Sequence, residues 1–270
     1  MKMAGKKELI CMDEKEFKQD IDTLDRWIRD ARSIVFFGGA GVSTASGIPD
    51  FRSKDGLYNQ HDVQFEQYRP EYLLSHSCLV NEPKVYFEFH RQKMDTRKIQ
   101  PNNAHKYLAE LEKREPEKFL GIVTQNIDGL HQKAGSQKVY EIHGSALRNY
   151  CMSCGKVYPP DYIFESKEPV PHCSCGGVIR PDITLYEEML PDEAVEKAVG
   201  AISKADLMII AGTSLTVYPA ASFINYFHGR YLVILNRDPL GVHLKAQTLA
   251  ITDDMDQVFA ALAQKEDMEL

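Results

Sequence analysis

Two pairs of cysteines form the clearest metal-binding pattern in the sequence. Two residues separate Cys151 from Cys154 and one residue separates Cys173 from Cys175, with a polar, proline-containing stretch between the pairs. Paired thiolates at this spacing are typical of a zinc ribbon, and four thiolates leave no open position for water. We therefore predict one structural Zn²⁺, with His172 as an alternative ligand.

A glycine-rich turn follows the apolar run Ile34–Phe37 in the string FFGGAGVSTASGIPDFR. Gly39, Ala40 and Gly41 would let the backbone approach a phosphate and point N–H groups at it. Thr44 stands where the third glycine of the dinucleotide fingerprint belongs, so a purely structural turn is an alternative. The polar residues beyond the turn favour a nucleotide with a reactive end; they are Ser43, Asp50 and Arg52.

Polar side chains also follow two other apolar runs. Gln125, Asn126 and Asp128 come directly after Leu120–Val123, and His143 follows the next run along the chain. Ligands of α/β proteins bind at the carboxyl ends of the strands, so these side chains are expected to face one crevice. A histidine there is suited to proton transfer near neutral pH, although a structural role is the alternative.

Two later polar segments fit the same edge of the sheet. They are Gly212, Thr213 and Ser214 after Leu207–Ala211, and Asn236, Arg237 and Asp238 after Tyr231–Leu235. Such positions hold phosphate and ribose groups. The alternative for Ser214 and Asn236 is helix capping, which favours the same residue types.

These segments are positioned by apolar runs that alternate with helical patterns. Besides the runs already named, Val139–Ile142 and Leu249–Ile251 have the character of buried strands. Helical spacing is found at Glu14–Ala31, Ala104–Lys113, Glu193–Ser203, Ala220–Phe227 and Met255–Ala263. This alternation predicts an α/β fold: a Rossmann-like parallel sheet with helices on both faces.

Two stretches interrupt the alternation. Residues 47–100 are polar and aromatic with a predicted helix at Pro83–Arg97, and residues 147–179 are rich in Cys, Pro and Gly. Connections of this length carry function or form a small domain of their own. We therefore predict a smaller inserted domain made of a zinc ribbon and a helical module.

Composition excludes several classes of protein. The chain has 270 residues and a net charge of -7, which disfavours direct nucleic-acid binding. No apolar run approaches the roughly 20 residues that cross a bilayer, and the N-terminal segment lacks the apolar core of a signal peptide. We expect no membrane association and a cytoplasmic location.

Five motifs together resemble the sirtuin family. They are the string around Gly39, TQNIDGLHQKAG from Thr124, EIHGS from Glu141, GTSLTVYPAA from Gly212 and NRD from Asn236. Their order and spacing match the family from about Asp20 to Val258. The resemblance implies an NAD-dependent protein lysine deacetylase that yields nicotinamide, O-acetyl-ADP-ribose and free lysine. It also implies NAD and one structural zinc as cofactors, with acetylated-lysine proteins or peptides as partners of a monomer or weak oligomer.

The resemblance assigns roles to individual residues. His143 would be the general base, and Asn126 would order the ribose and water. Gln125 would contact the ribose, while Asp128 and the backbone of Ile127 would hold the nicotinamide carboxamide. The remaining contacts would come from Asp50, Phe51 and Arg52 closing over the cofactor, Asn236 at the adenosine ribose and the Ile183 carbonyl at the acyl-lysine nitrogen.

The family pattern also suggests domain boundaries. Residues 1–41, 101–146 and 186–270 would form the Rossmann-like NAD-binding domain. Residues 42–100 would form a cofactor loop with the helical module, and residues 147–185 the zinc-ribbon module.

The sequence departs from the family at the substrate cleft. Tyr186 and Glu187 stand where sirtuins commonly have phenylalanine and glycine. Phe87 and His90 take the places of a tyrosine and an arginine that bind acidic acyl groups in some members, which favours acetyl and other neutral acyl groups. A mono-ADP-ribosyltransferase and a non-catalytic NAD-binding scaffold are the alternative functions.

Overall fold

The computed structural model describes residues 4–51, 53–54, 56–59 and 64–270, with side chains from Glu14 onward. Its strands are β1 Ile34–Gly38, β2 Phe119–Thr124, β3 Val139–Glu141, β4 Gly144–Cys151, β5 Val157–Tyr158, β6 Ile179–Ile183, β7 Leu207–Ala211, β8 Tyr231–Leu235 and β9 Gln247–Ile251. Its α-helices are α1 Ala4–Asp30, α2 Pro70–Leu73, α3 His76–Asn81, α4 Pro83–Lys93, α5 Asn103–Arg114, α6 Leu130–Ala134, α7 Asp161–Phe164, α8 Asp192–Lys204 and α9 Met255–Lys265.

The main sheet has six parallel strands in the order β3-β2-β1-β7-β8-β9. Renumbered within this sheet, that is the order 3-2-1-4-5-6 of dinucleotide-binding folds. The chain direction across the sheet reverses between β1 and β7. Ligands bind at such a switch point, outside the carboxyl ends of the strands.

Helices cover both faces of this sheet, as the alternation predicts. Phe36 and Ile209 point to the face covered by α1, α5 and α9, where Leu24, Leu108 and Phe259 are buried. Phe37 and Ile210 point to the other face, covered by α8 and the 3-10 helix Ala220–Tyr226. Because both faces are buried, the central strands consist of continuous apolar runs.

Two predicted helices differ from those in the structure. The helix predicted at Pro83–Arg97 ends at Lys93, and the Asp95 carboxylate then accepts the Arg97 N–H at 3.2 Å, which stabilises a turn. The segment predicted as Ala220–Phe227 is a 3-10 helix, in which the Ser222 N–H donates to the Pro219 carbonyl three residues earlier.

A second, antiparallel sheet has the order β5-β4-β6. Strand β4 starts at Gly144, directly after His143, and ends at Cys151; β6 runs back alongside it. Gly144 pairs with Ile183 at one end of the two strands, and Cys151 pairs with Ile179 at the other. This strand pair therefore connects the edge of the main sheet to the cysteine pairs.

No helix in the described part of the chain is both long and apolar enough to cross a membrane.

Candidate active site

A cleft of about 770 Å³ lies at the carboxyl ends of the main-sheet strands, on the side of the switch point. This volume is typical of small-molecule and cofactor sites. The predicted site residues that line it are Gly39, Ala40, Gly41, Ser43, Asp50, Phe51, Gln125, Asn126, Ile127, Asp128, His143, Ile183, Gly212, Thr213, Ser214, Asn236, Arg237 and Asp238. Arg52 lies outside the described residues.

The glycine turn after β1 packs against the turn after β7. The Gly41 N–H donates to the Gly212 carbonyl at 2.8 Å, and a Cβ on Gly41 would lie 2.7 Å from the Gly212 Cα. Gly212 also has a φ of 55°, which L side chains rarely adopt. These glycines are thus required by the contact between the two turns, a reason that the sequence pattern alone does not reveal.

A buried polar network lies at the floor of the cleft, beyond the carboxyl ends of β1 and β2. The Ser43 hydroxyl donates to the Asp128 carboxylate at 2.7 Å and accepts from the Asn126 amide at 3.0 Å. The Leu130 N–H donates to the other Asp128 oxygen at 2.9 Å. Burial raises the pKa of Asp128, while these hydrogen bonds favour its charged form. The network fixes a carboxylate and an amide at the innermost part of the cleft.

His143 is held in one orientation at the end of β3. Its Nδ1 lies 3.0 Å from the Gln125 carbonyl oxygen. Because a carbonyl only accepts, Nδ1 must carry the proton and Nε2 is left with a lone pair. Burial lowers the pKa of His143 below its ordinary value, more than the Gln125 contact raises it. The imidazole is therefore neutral at pH 7 and can accept a proton at Nε2.

The segments after β7 and β8 form the far end of the cleft. Thr213 accepts a hydrogen bond from the Gln125 amide at 3.0 Å, which joins this end to the His143 end. The Asn236 amide donates to the Asp238 carbonyl at 2.7 Å, so its side chain stabilises its own turn in this state. No helix starts at Asn236, so its side chain is not a helix cap, and Asn236 lines the cleft.

The four predicted zinc ligands come together. The sulfur atoms of Cys151, Cys154, Cys173 and Cys175 all lie within 4.8 Å of one another. The Cys151–Cys175 separation is 3.5 Å and the Cys154–Cys173 separation is 3.6 Å. A tetrahedral zinc with bonds of about 2.3 Å would place its sulfurs about 3.8 Å apart, so the donor set fits one Zn²⁺.

Nearby groups favour the thiolate form of Cys173 in this cluster. The Cys175 N–H and the Tyr158 hydroxyl both donate to the Cys173 sulfur and lower its pKa to about 6. His172 is not part of the cluster, and its Nδ1 lies 3.8 Å from the Glu168 carboxylate. The single residue between Cys173 and Cys175 is therefore compatible with a four-sulfur site, and His172 is not required as a ligand.

Residues 39–219 match the model of the Sir2 family. The chain belongs to the Sir2 family. A protein from Clostridium perfringens named NAD-dependent protein deacetylase is 51% identical over 241 residues, covering 88% of this chain and 96% of that protein. One of the same name from Cutibacterium acnes is 48% identical over 242 residues, covering 89% and 96%.

Solved Sir2 structures have the same fold as this Sir2 chain. A complex of Sir2 with a deacetylated peptide and 3'-O-acetyl-ADP-ribose has a TM-score of 0.81 at 31% identity, covering 92% of this chain and 99% of that one. A complex of Sir2 with a peptide and NAD⁺ has a TM-score of 0.77 at 32% identity, covering 91% and 98%. The resemblance to sirtuins is confirmed by both kinds of comparison.

Some residues that line the cleft of this Sir2 chain were not predicted. The segment Thr252–Met255 follows β9 and contributes to the far end of the cleft. The rule that polar residues after a parallel strand face the ligand would have found it, because Leu249–Ile251 was recognised as a strand. Lys93 and Met94, at the end of α4, also line the cleft, and no sequence pattern pointed to them.

Phe87 and His90, which replace the tyrosine and the arginine of some family members, do not line the cleft. Both side chains are fully buried, and His90 stacks between Tyr86 and Phe164 instead of facing the cleft. The reason is the register of α4: its inner face packs against the zinc-ribbon module, and only its C-terminal end reaches the cleft. The preference for neutral acyl groups therefore stays a prediction.

Proposed function

We propose that this Sir2 chain removes acetyl groups from lysine side chains at the expense of NAD, with His143 as the general base. NAD and water would be consumed, and nicotinamide, O-acetyl-ADP-ribose and free lysine released. The single observation that carries this assignment is the geometry of His143: it lines the cleft with Nδ1 3.0 Å from the Gln125 carbonyl oxygen, so that Nε2 can serve as the proton acceptor. The family membership supplies the reaction class.

The cleft offers separate places for the two ends of NAD. We assign the adenosine end to Ser214, Asn236, Arg237 and Asp238, and the phosphates to the turn of Gly39, Ala40 and Gly41. The nicotinamide end would lie against Ile127 and Asp128, with Gln125 and Asn126 at the ribose. When bound, NAD supplies the ribose carbon that accepts the acetyl oxygen as nicotinamide leaves.

The protein's own residues would orient the reactants. Ser43 holds the Asp128 carboxylate and the Asn126 amide in fixed positions. Both groups can therefore bind NAD without changing their conformation. His143 would accept a ribose hydroxyl proton at Nε2, which makes that oxygen a nucleophile. Asp50, Phe51 and Arg52 would close the cleft over the cofactor.

The acetylated peptide would bind where β4 and β6 meet the main sheet. Gly144 pairs with Ile183, and the Thr184 N–H donates to the His143 carbonyl at 2.9 Å. This arrangement places the Ile183 backbone beside the catalytic histidine, so we assign its carbonyl to the acyl-lysine nitrogen. The proposed substrates are therefore proteins or peptides that carry an acetylated lysine.

We assign the cysteine cluster to one structural zinc in a module of residues 147–185. For the rest of the chain we propose the domain boundaries expected from the sequence. Residues 1–41, 101–146 and 186–270 form the NAD-binding domain, and residues 42–100 form the cofactor loop and the helical module. Zinc would stabilise the outer end of the β4–β6 pair, whose inner end carries His143 and Ile183. It would therefore support the site without taking part in the reaction.

We further propose that the protein acts in the cytoplasm as a monomer or weak oligomer, without binding nucleic acid directly. The cysteines from Cys78 onward are free thiols or zinc ligands, as is usual in a reducing compartment. The net charge of -7 disfavours phosphate backbones.

The test is to incubate the purified protein with an acetyl-lysine peptide, with and without NAD, and to measure nicotinamide and deacetylated peptide by mass spectrometry. Equal amounts of both products are expected, strictly dependent on NAD. His143→Ala should reduce their formation by about 100-fold or more, as for loss of a general base. Nicotinamide released while the acetyl group stays in place would contradict the proposal and favour ADP-ribosyl transfer or NAD hydrolysis.

A further inference from the structure

The segment that follows β6, residues 184–190, forms one wall of the cleft near Ile183. We call it the substrate wall. Thr184, Leu185, Tyr186 and Glu187 from this wall line the cleft. Its conformation therefore determines the shape of the space in which the proposed peptide substrate lies.

Backbone hydrogen bonds join the substrate wall to the helical module. The Tyr186 N–H donates to the Leu74 carbonyl at 3.0 Å, and the His76 N–H donates to the Tyr186 carbonyl at 3.1 Å. Ser75 and Tyr186 thus form a parallel bridge just before α3. Both main-chain groups of Tyr186 are engaged on the side of the wall that faces the helical module.

Directly after this bridge the wall makes a tight turn. The Glu188 N–H donates to the Leu185 carbonyl at 3.1 Å, which closes a four-residue turn with Glu187 in its third position. Glu187 has a φ of 75°, in the left-handed region. Glycine is the usual residue at the third position of a turn with positive φ, because a Cβ is disfavoured there.

The Glu187 side chain makes contacts that a glycine could not make. One of its carboxylate oxygens accepts from the Ser77 N–H at 2.9 Å and from the Ser77 hydroxyl at 2.7 Å. Ser77 lies in the first turn of α3, one residue beyond His76. The carboxylate therefore fastens the turn to the same part of the helical module that the Tyr186 backbone contacts.

The next residue adds a second attachment. The Glu188 carboxylate forms an ion pair with the Arg180 guanidinium and lies 2.9 Å from the His76 Nδ1. It also accepts a hydrogen bond from the Leu185 N–H at 2.9 Å. Glu187 and Glu188 thus connect the wall to α3 and β6 from two directions. A conformation disfavoured for the backbone at Glu187 is maintained by side-chain bonds.

We propose that Glu187 is a positioning residue for the peptide substrate. Its bonds to Ser77 hold the substrate wall against α3 before the acetylated peptide arrives, so that peptide binding does not have to order the wall. Preorganisation of this kind strengthens binding by reducing the entropy lost on association. The inference rests on the proposed deacetylase function, since it concerns the affinity for the peptide and leaves the chemistry at His143 unchanged.

The experiment compares Glu187→Gly with the unchanged protein. We measure the KM for an acetyl-lysine peptide, the KM for NAD, kcat at saturating peptide, and the melting temperature. The peptide KM should rise about 3- to 10-fold, since an ordering cost of this size is typical of one immobilised segment. The NAD KM and kcat should stay within about twofold, as expected for a loss confined to substrate binding. The melting temperature should change little, because the relief of strain at this φ offsets the loss of the bonds to Ser77.

Two further variants separate the side-chain bonds from other effects. Glu187→Gln keeps an oxygen that can accept from Ser77 and should restore most of the peptide affinity. Ser77→Ala should raise the peptide KM by less than Glu187→Gly, because the Ser77 N–H remains. If the double variant Ser77→Ala with Glu187→Gly has the same peptide KM as Glu187→Gly alone, the two residues act through one contact.

The outcomes distinguish this inference from the function on which it rests. An active unchanged protein whose peptide KM is the same in Glu187→Gly overturns the inference alone. Equal rises in the KM values for peptide and NAD also overturn it, since they indicate a general disturbance of the cleft. An unchanged protein that does not deacetylate the peptide in the presence of NAD overturns the proposed function and this inference together.

Discussion

At the scale of single residues, the site depends on polar groups that hold one another in place inside the fold. Ser43 is fully buried and contacts both Asp128 and Asn126. Its Oγ also lies 3.5 Å from the Nε2 of buried His105, whose Nδ1 is 2.8 Å from the Asn102 side-chain oxygen that caps α5. The innermost cleft residues are thus connected to the start of a core helix.

Ser43→Ala tests this network. Removing a hydroxyl that donates to a buried carboxylate costs about 1.5–3 kcal/mol, so kcat/KM for NAD should fall roughly 10- to 100-fold. The matched control is Ser203→Ala, because the exposed Ser203 hydroxyl donates to the Gly200 carbonyl within α8 and does not line the cleft. The measurement is kcat/KM for NAD from steady-state kinetics at varied NAD concentration. Equal effects of the two substitutions would contradict the assigned role of Ser43.

The sequence predicted these residues only as candidates. Ser43, Asn126 and Asp128 were singled out because polar types follow apolar runs at strand ends, and the structure brings all three together. Their hydrogen bonds could not be predicted, since Ser43 and Asp128 are separated by 85 positions along the chain and meet only when β1 and β2 pair. His105 was missed because a histidine within a helical pattern carries no signal of its own.

At the scale of elements, the turns after β1 and β7 are built as one unit. A Cβ on Gly41 would lie 2.7 Å from the Gly212 Cα and 2.9 Å from its carbonyl oxygen. Backbone atoms cannot move aside as the end of a flexible side chain can. The close approach of these two turns is what brings the predicted phosphate-binding segment beside Thr213 and Ser214.

Gly41→Ala should therefore separate the two turns. We expect a loss of about 1–3 kcal/mol in the free energy of unfolding, as for other overpacking substitutions, together with a raised KM for NAD. The control is Gly200→Ala in α8, where a Cβ would meet nothing within 4 Å and where alanine should stabilise the helix by up to about 1 kcal/mol. Urea unfolding measures both changes in the free energy of unfolding. A Gly41→Ala variant as stable as the unchanged chain would show that the turns can move apart freely.

Elements with a strong local pattern were predicted best. Strands β7 and β8 were predicted with the bounds that the structure has, because both faces are buried and their residues are apolar throughout. Residues 42–100 were predicted less well, since α2 and α3 are only four and six residues long and α3 is bonded to the distant substrate wall. Short helices of this kind depend on tertiary packing more than on local propensity.

At the scale of the whole molecule, buried neutral histidines couple folding to pH. Burial lowers the pKa of His90 to about 3 and that of His105 to about 4, and it also lowers the pKa of His131. His90 lies between the helical module and the zinc-ribbon module, whereas His105 and His131 contact each other beneath the main sheet. Protonation would place an unpaired charge in each of these interiors.

The sign of the effect on stability follows from these shifts. Below about pH 6.5 the unfolded chain binds protons at these histidines, but the folded chain does not until the pH approaches 4 or 3. The contribution of the neutral histidines is therefore complete above about pH 6.5 and is lost as the pH falls below it. Each such histidine reduces the free energy of unfolding by about 1.4 kcal/mol per pH unit in that window.

His90→Phe should weaken this dependence, because phenylalanine keeps the stacking on Tyr86 and Phe164 and cannot be protonated. Between pH 6.5 and pH 5 the variant should lose about 1–2 kcal/mol less free energy of unfolding than the unchanged protein. Urea unfolding at both pH values, with zinc content measured alongside, provides the comparison. His228→Asn, at an exposed position, is the control and should leave the dependence as it is. An unaltered pH dependence in His90→Phe would mean that His90 is already protonated in the folded protein, and the buried core between the two modules would then have to accommodate a charge.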